Sequence, residues 1–304
     1  MVQQDLEKTS FISLPNEIHT TIIRKLEKKD RKNLAAVNDR FKELVKIAGY
    51  RRFKTVYCNT HGMGFTADSD SEYFDRRFDR NSPLHDIASF FHYASANSII
   101  FAGQFTEDSE KIVHSVLKTL YVVKLRISIY NEIDLKLFYD LHCRKSIKEM
   151  HVQFFRSGLD LNPVKRMLLN LPIKDKLEIT IRAPEQQAEQ TKSLFDDQVL
   201  IHLANISAKI IIRGTYHTAV SARGLANIFE IFGNGQRARK VEFEIAPDEL
   251  NLFRSRLDLS KFENQVQVSG KEIIKHRDTG AIMCWGIMQT RVFITTEFNN
   301  NTSH

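Results

Sequence analysis

The chain has 304 residues, a length that suits one large domain or two ordinary ones. Its 42% hydrophobic and 27% charged residues are typical of a globular protein and argue against a disordered chain or a membrane protein. Lysine and arginine exceed aspartate and glutamate by 44 to 37, which gives a formal net charge of +7. The excess permits binding to nucleic acid or acidic partners. Because the basic residues lie in short, partly neutralised clusters, the pattern favours solvated faces instead.

Cysteine usage and hydropathy indicate the compartment. Cys58, Cys143 and Cys284 are far apart and odd in number, which fits neither a disulfide framework nor a Cys-x-x-Cys metal site. The amino terminus has no apolar signal region, and no stretch approaches the roughly 18 uninterrupted apolar residues of a spanning helix. We therefore expect a protein of the cytoplasm, the nucleus or both, without membrane contact.

The first predicted region is helical and covers residues 10 to 48. Ser13 to Ile18 has the pattern of a helix start, with Pro15 near the first turn and Glu17 near the positive end. The apolar stripe of the first helix contains Ile18, Ile22, Ile23 and Leu26. Three-four-three spacing predicts a second helix with Leu34, Val37, Phe41 and Leu44 on one stripe. Such short helices cannot bury all of these residues among themselves, so part of the stripe faces the rest of the chain or another protein.

From about Phe53 onward, β-branched runs alternate with amphipathic helical stretches. The predicted strands are Ser98 to Phe101, Val122 to Ile129, Ile147 to Phe155, Leu177 to Arg182, Lys209 to Arg213 and Val241 to Ile245. The predicted helices between them are Glu107 to Leu120, Leu135 to Cys143, Pro163 to Leu171, Ser193 to Ile206 and Ala222 to Phe232. The aromatic residues Phe154 and Phe155 are expected in the core.

This alternation predicts an α/β fold. Strand-plus-helix units of roughly 24 to 32 residues, iterated five or six times, are typical of a leucine-rich-repeat-like β/α solenoid. The strict Leu-x-x-Leu-x-Leu-x-x-Asn signature is missing, and a doubly wound sheet stays open, since both folds join parallel strands by crossover helices. At the carboxyl end, Lys271 to His276, Ala281 to Ile287 and Arg291 to Thr296 predict a β-hairpin or small meander that caps the array. Asn299 to His304 is polar, and we expect it to be a disordered tail.

The sequence motifs that could indicate a cofactor, metal or catalytic site are weak. Gly62 to Ala67 matches a dinucleotide fingerprint, but Asp68, Asp70 and Glu72 follow where phosphates would lie, so we predict a hairpin or loop. His85 and His92 lack the further ligands that zinc needs, and His142 is adjacent to Cys143 rather than facing it. We therefore expect no metal, no cofactor and no catalytic site.

The order of residues in the helical region resembles an F-box, the helical module that docks on Skp1-type adaptors of cullin-based ubiquitin ligases. The matching elements are Leu14-Pro15-x-Glu17-Ile18, Ile22-Ile23-x-x-Leu26 and Asp30-Arg31-x-x-Leu34-x-x-Val37-Asn38-x-Arg40-Phe41. The resemblance covers about residues 10 to 54, and Phe41 stands where the family often has tryptophan. It implies that the module's core and adaptor-facing surface together contain Leu14, Pro15, Ile18, Ile22, Ile23, Leu26, Leu34, Val37 and Phe41. The resemblance does not separate the two roles.

The remainder resembles the carboxy-terminal domains of nematode F-box proteins, with Lys240 to Ile245 and Arg277 to Gly280 as the best local matches. This layout predicts a tail at 1–9, an F-box at 10–54, a leucine-rich-repeat-like domain at 55–297 and a second tail at 298–304. The implied function is substrate recognition in a Skp1-cullin-F-box ubiquitin ligase. The partners would be a Skp1-like adaptor, a cullin held through it and a protein substrate, and the ligase chemistry would belong to other subunits.

Three alternatives stay open on the sequence. A nucleic-acid-binding protein would use the net positive charge, although no concentrated basic stripe supports it. An α/β enzyme with a helical extension would need a deep polar pocket, which no linear pattern locates. An F-box protein acting outside a ligase, as a scaffold, would bind the adaptor without a cullin. The sequence predicts no substrate-binding residues.

Overall fold

The structure is a computed structural model, and it describes residues 11–48, 52–59, 64–69, 76–78, 82–92, 94–103, 105–142, 144–155, 161–172, 174–182, 193–214, 218–234, 239–256, 259–268, 271–288 and 291–297. It is a mixed α/β structure, which confirms the predicted class. The chain divides into two compact units, Met1–Ile100 with Glu107–Val123, and Phe101–Thr106 with Lys124–His304. The predicted boundary near residue 54 falls inside the first unit. The predicted tails at 1–9 and 298–304 lie outside the described residues.

The first unit begins with a helical module, residues 11–48. It contains a 3-10 turn at Phe11–Ser13 followed by α1 (Asn16–Lys25), α2 (Lys28–Ala35) and α3 (Asp39–Ala48). The second predicted helix is wrong in one respect, because it is two helices with Val37 in the turn between them. The break has a local cause: the Asn38 side chain accepts a hydrogen bond from the Phe41 backbone N–H at 2.8 Å, which starts a new helix there.

The rest of the first unit is a small sheet with two helices. Its elements are β1 (Arg52–Asn59), β2 (Gly64–Ser69), β3 (Arg76–Phe78), α4 (Leu84–Phe91), the start of β4 (Ser95–Ala102), α5 (Glu107–Thr119) and the start of β5 (Tyr121–Ile129). The strands lie in the order β4-β1-β2-β3. β1 and β2 pair antiparallel, so a strand follows the glycine-containing segment. The predicted hairpin requires a strand at this point, whereas a dinucleotide site would require a helix. Residues 60–63 and 70–75 lie outside the described part of the chain.

The second unit is built on parallel strands in sequential order. After the end of β5 come α6 (Glu132–His142), β6 (Glu149–Phe154), α7 (Leu161–Leu169), β7 (Lys174–Ile181), α8 (Asp197–Ile206), β8 (Ser207–Gly214), α9 (Ala222–Asn234) and β9 (Arg239–Glu244). Each of β5 to β8 pairs parallel with the strand that follows it. Every predicted strand and helix of this region is confirmed within a few residues.

Antiparallel strands complete the second unit. The elements are α10 (Pro247–Arg256), a 3-10 turn (Leu259–Lys261), β10 (Phe262–Val268), β11 (Lys271–His276), β12 (Ile282–Met288) and β13 (Arg291–Glu297). β13 pairs antiparallel with β9, so the carboxyl-terminal strands extend the edge of the parallel array. The predicted meander is confirmed, and Gly280, at φ +69°, sits in the turn before β12. The sequence patterns missed α10 and β10.

Two carboxylates, the buried Asp134 and the half-buried Asp197, fix loops that precede helices. Asp134 is fully buried and accepts hydrogen bonds from the backbone N–H groups of Phe105, Tyr130 and Asn131 at 2.9, 2.7 and 3.2 Å. Asp197 accepts from both the N–H and the hydroxyl of Ser221. These bonds satisfy donors that would otherwise lose their water partners. No helix among the described residues is long and apolar enough to cross a membrane.

Candidate binding surfaces

The helical module has a hydrophobic core of its own. Its buried residues are Ile23, Ala35, Phe41, Leu44, Val45 and Ala48, and Leu34 and Ile47 pack against them. They come from all three helices, so the contacts hold α1, α2 and α3 together. Because burying an aliphatic or aromatic side chain stabilises by about 1.5 to 3 kcal/mol each, this cluster is the main stabilising element of the module.

The structure divides the nine residues of the F-box pattern between core and surface. Ile23 and Phe41 are buried. Four are partly buried, namely Leu14, Ile22, Leu26 and Leu34. Three are exposed, namely Pro15, Ile18 and Val37, and the side chains of Ile18 and Val37 are 47% and 65% exposed. The module therefore presents apolar side chains to solvent at positions where the pattern requires apolar residues.

A polar and aromatic cluster, which the sequence did not suggest, fixes the start of the module. His19 is fully buried and contacts the rings of Phe11 and Phe41 edge-on, with centroid distances of 4.7 and 5.4 Å. The Arg40 Nη2 atom donates to the Leu14 carbonyl at 3.2 Å and to Asn16 Oδ1 at 3.1 Å. These contacts hold the segment that contains Leu14 and Pro15 against α3. One feature of the sequence could have indicated that His19 is buried: it lies four residues before Ile23, on the same side of α1.

In the second unit, one side of the parallel strands carries polar side chains. We call this side of β5 to β9 the open face. Residues at alternate positions are buried on the other side, and those of the open face are mostly half-buried or exposed. Strand register places Arg126, His151, Glu178 and Ile211 in one row. The neighbouring row contains Lys124, Glu149, Lys176, Lys209 and Lys240.

Glu178 is the centre of an ionic cluster on the open face. Its carboxylate lies 3.3 Å from Lys176 Nζ, 3.5 Å from Arg213 Nη1 and 4.0 Å from His151 Nε2. Burial alone would raise the pKa of Glu178, but His151, Lys176 and Arg213 together hold that pKa below its ordinary value. The pKa of His151 is lowered, chiefly by burial and further by nearby cations, against the opposing effect of Glu178.

An aromatic stack closes one end of the open face. Tyr130 and Phe155, which follow β5 and β6, lie parallel with centroids 4.8 Å apart. The Arg182 guanidinium, just after β7, lies 5.3 Å from the Phe155 ring centre. The expectation that Phe155 belongs to the core is wrong, because it is only half-buried, whereas Phe154 is buried. The alternation explains the difference, since neighbouring residues of a strand point to opposite sides of the sheet.

The residues weighed for metal or catalytic chemistry are dispersed. His85 and His92 are exposed, and His85 pairs with its neighbour Asp86 at 3.1 Å. His142 lies beside the Tyr139 carbonyl, and Cys143 is outside the described residues. Within the described ranges, no three His, Cys, Asp or Glu side chains are grouped as a metal site. Cys58 and Cys284 are free thiols, and burial raises the pKa of Cys58 well above its ordinary value.

Comparison with known proteins identifies no family. No protein-family model matches the chain, and no curated protein is similar enough to count as a match.

Proposed function

We propose that this protein is the substrate-recognition subunit of a Skp1-cullin-F-box ubiquitin ligase. Its helical module would bind a Skp1-type adaptor, and its α/β part would bind a protein substrate. The observation that carries the proposal is the division of the F-box pattern into a buried set and an exposed set. The exposed set, with Ile18 and Val37 as its most exposed aliphatic side chains, is what a module that docks on an adaptor would present.

The exposed set suits a partner surface. Ile18 is exposed in α1, and Val37 lies in the turn that joins α2 to α3. Leu14, Ile22 and Leu26 retain part of their apolar surface in solvent. Burial of such area is favourable by about 25 cal/mol per Å², so a complementary apolar groove on an adaptor would gain free energy by covering it. Because the module has a core of its own, we expect the helices to persist when the exposed side chains of Ile18 and Val37 are truncated.

The arrangement of the second unit supports a role in binding a protein substrate. The strand order β5 to β9 follows the chain without reversal, whereas a doubly wound sheet reverses at a switch point. Neighbouring helices α7, α8, α9 and α10 contact one another in sequence, which suits helices stacked along one side. We therefore propose a leucine-rich-repeat-like solenoid, a fold whose stacked repeats give long surfaces for protein recognition.

Co-purification of the full chain with a Skp1-type adaptor tests the proposal. The informative variant is Ile18→Ser with Val37→Ser, which removes exposed apolar groups only. The matched control is Tyr57→Ser with Leu252→Ser, since these side chains are 43% and 44% exposed elsewhere in the chain. We expect the wild-type chain and the control to retain the adaptor and the informative variant to lose it.

Adding a cullin to the same experiment separates the ligase from a scaffold. A ligase subunit brings the cullin down together with the adaptor, whereas a scaffold brings down the adaptor alone. A folded wild-type chain that retains no adaptor would refute both forms of the proposal.

A further inference from the structure

The open face of β5 to β8 carries an uneven distribution of charge. In the described part of the chain, six cationic side chains that are exposed or half-buried belong to it, namely Lys124, Arg126, Lys176, Arg182, Lys209 and Arg213. Among the described residues of these strands, the carboxylates on this side are Glu149 and Glu178. The next strand, β9, has one lysine and two glutamates on this side. The excess of four positive charges is therefore confined to β5 to β8, and we call this region the basic patch.

The two carboxylates of the basic patch already have partners. Glu149 lies 2.9 Å from Lys124 Nζ, and Glu178 is shared by Lys176 and Arg213. Among the described residues, no carboxylate lies within ion-pair distance of Arg126, Lys209 or Arg182. These three cations come from β5, β8 and the residue after β7, so the sheet fixes their backbone positions on one side. A group of unneutralised cations on one side attracts an anionic partner.

We propose that the basic patch binds an acidic segment of the protein substrate, a statement that rests on the proposed function. Carboxylates of an extended peptide would pair with Arg126 and Lys209. The stack of Tyr130 and Phe155 at the end of the same face would receive an apolar or aromatic residue of that segment. Gln153 and Thr180 lie between the ionic cluster and the stack. The Thr180 hydroxyl offers a hydrogen bond to a peptide backbone, whereas the Gln153 amide already contacts Ser128 and His151.

The spacing of charges favours a peptide over a nucleic acid. Alternate side chains of an extended peptide are about 6.8 Å apart, so an acidic residue can meet a cation while its neighbour avoids Glu149 or Glu178. Duplex DNA carries one charge per about 1.7 Å of axis, and its phosphates would meet both glutamates. Mixed charge with an aromatic border therefore suits an acidic protein segment.

Fluorescence anisotropy with a labelled peptide tests this inference. The probe is a fluorescein-labelled twelve-residue peptide of alternating Glu and Thr, compared with its Gln-Thr analogue and a twelve-nucleotide single-stranded RNA. The variant is Arg126→Glu with Lys209→Glu in the full chain. The matched control, Arg166→Glu with Arg223→Glu, makes the same charge change at exposed positions of α7 and α9.

We expect the Glu-Thr peptide to bind about tenfold tighter than its Gln-Thr analogue, with a binding constant that falls as salt rises. The variant should lose about tenfold in affinity, and the control should stay within about twofold of the wild type. Equal binding of both peptides, absence of binding, or equal losses in variant and control would overturn the inference. Tighter binding of the RNA, lost in the same variant, would replace the peptide with a nucleic acid.

The adaptor assay separates this inference from the proposed function. The Arg126→Glu, Lys209→Glu variant should still co-purify with the Skp1-type adaptor, because its changes are confined to the second unit. If the wild-type chain binds the acidic peptide but no adaptor, the proposed function fails and the peptide site stands. Circular dichroism confirms that both variants keep their secondary structure.

Discussion

Phe41 is the aromatic centre of the helical module, and we expect Phe41→Ala to destabilise the module by about 3 to 5 kcal/mol. The side chain is 3% exposed, and its ring lies 5.6 Å from that of Phe11 and 5.4 Å from that of His19. Truncation loses the transfer free energy of the ring and leaves a cavity between α1 and α3. The cost falls at the upper end of core substitutions because aromatic neighbours on two sides lose their contacts together.

Val37→Ser is the matched comparison, since Val37 is an apolar residue of the same pattern. Its side chain is 65% exposed, so only about a third of its surface is buried in the free protein. Full burial of a valine is worth about 1.5 to 3 kcal/mol, and the expected cost is therefore at most about 1 kcal/mol.

Native-state hydrogen exchange of the α1 and α3 amides measures both variants in the full chain. It reports the free energy of local opening separately from the rest of the protein. Phe41→Ala should speed exchange in both helices by more than a hundredfold, and Val37→Ser by less than about sixfold. Equal effects of the two variants, or a cost below about 1 kcal/mol for Phe41→Ala, would refute the division into core and surface.

Three further outcomes are expected. Asp134→Ala should lower the free energy of unfolding by about 3 to 5 kcal/mol in urea titrations, because three backbone N–H groups lose their acceptor; a loss under about 1 kcal/mol would contradict this. The lowered pKa of Glu178 stabilises the fold above the ordinary pKa of a glutamate, about 4.3, and this stabilisation is lost as pH falls below that value. Because removing Glu178 would also lower the pKa of His151 further, the comparison is made with His151→Asn in both proteins. Between about pH 5 and pH 3 the thermal midpoint should drop more with Glu178 present than with Glu178→Gln, and parallel curves would contradict this. Gly224→Ala should cost about 1 to 3 kcal/mol, because the new Cβ displaces the Asp197 carboxylate, and a neutral result in the same urea titration would show that the helix can shift.

The strands that are buried on one side only were predictable from the sequence, because their apolar and polar residues alternate. Leu177 to Ile181 and Val241 to Phe243 alternate cleanly, and their apolar residues are buried in the structure. β10 was missed because its segment from Phe262 to Val268 is largely polar. The segment forms a strand because it pairs with β11. α10 was missed for a related reason, since most of its residues are polar and, of its described side chains, the buried ones are Leu250 and Phe253. In both cases tertiary contacts decide the structure, and local periodicity carries little signal.

The candidate surfaces were predictable only in part. Spacing identified the apolar set of the helical module, but it could not separate Ile23 from Ile18, because both lie on the apolar side of one helix. The separation depends on α3 and on the break at Asn38, which short-range periodicity does not show. The basic patch was invisible in the sequence, since Arg126 and Lys209 are far apart in the chain and come to the same side of the sheet only through the register of β5 to β8.

Site-specific photo-crosslinking tests most directly whether the exposed residues of the helical module contact an adaptor. p-Benzoylphenylalanine is placed at Val37 in the full chain expressed in animal cells, with the same group at Arg223 as the control, and crosslinked proteins are identified by mass spectrometry. We expect a Skp1-type adaptor attached at Val37 and absent at Arg223. No adaptor at Val37, or equal amounts at the two positions, would contradict the proposed function.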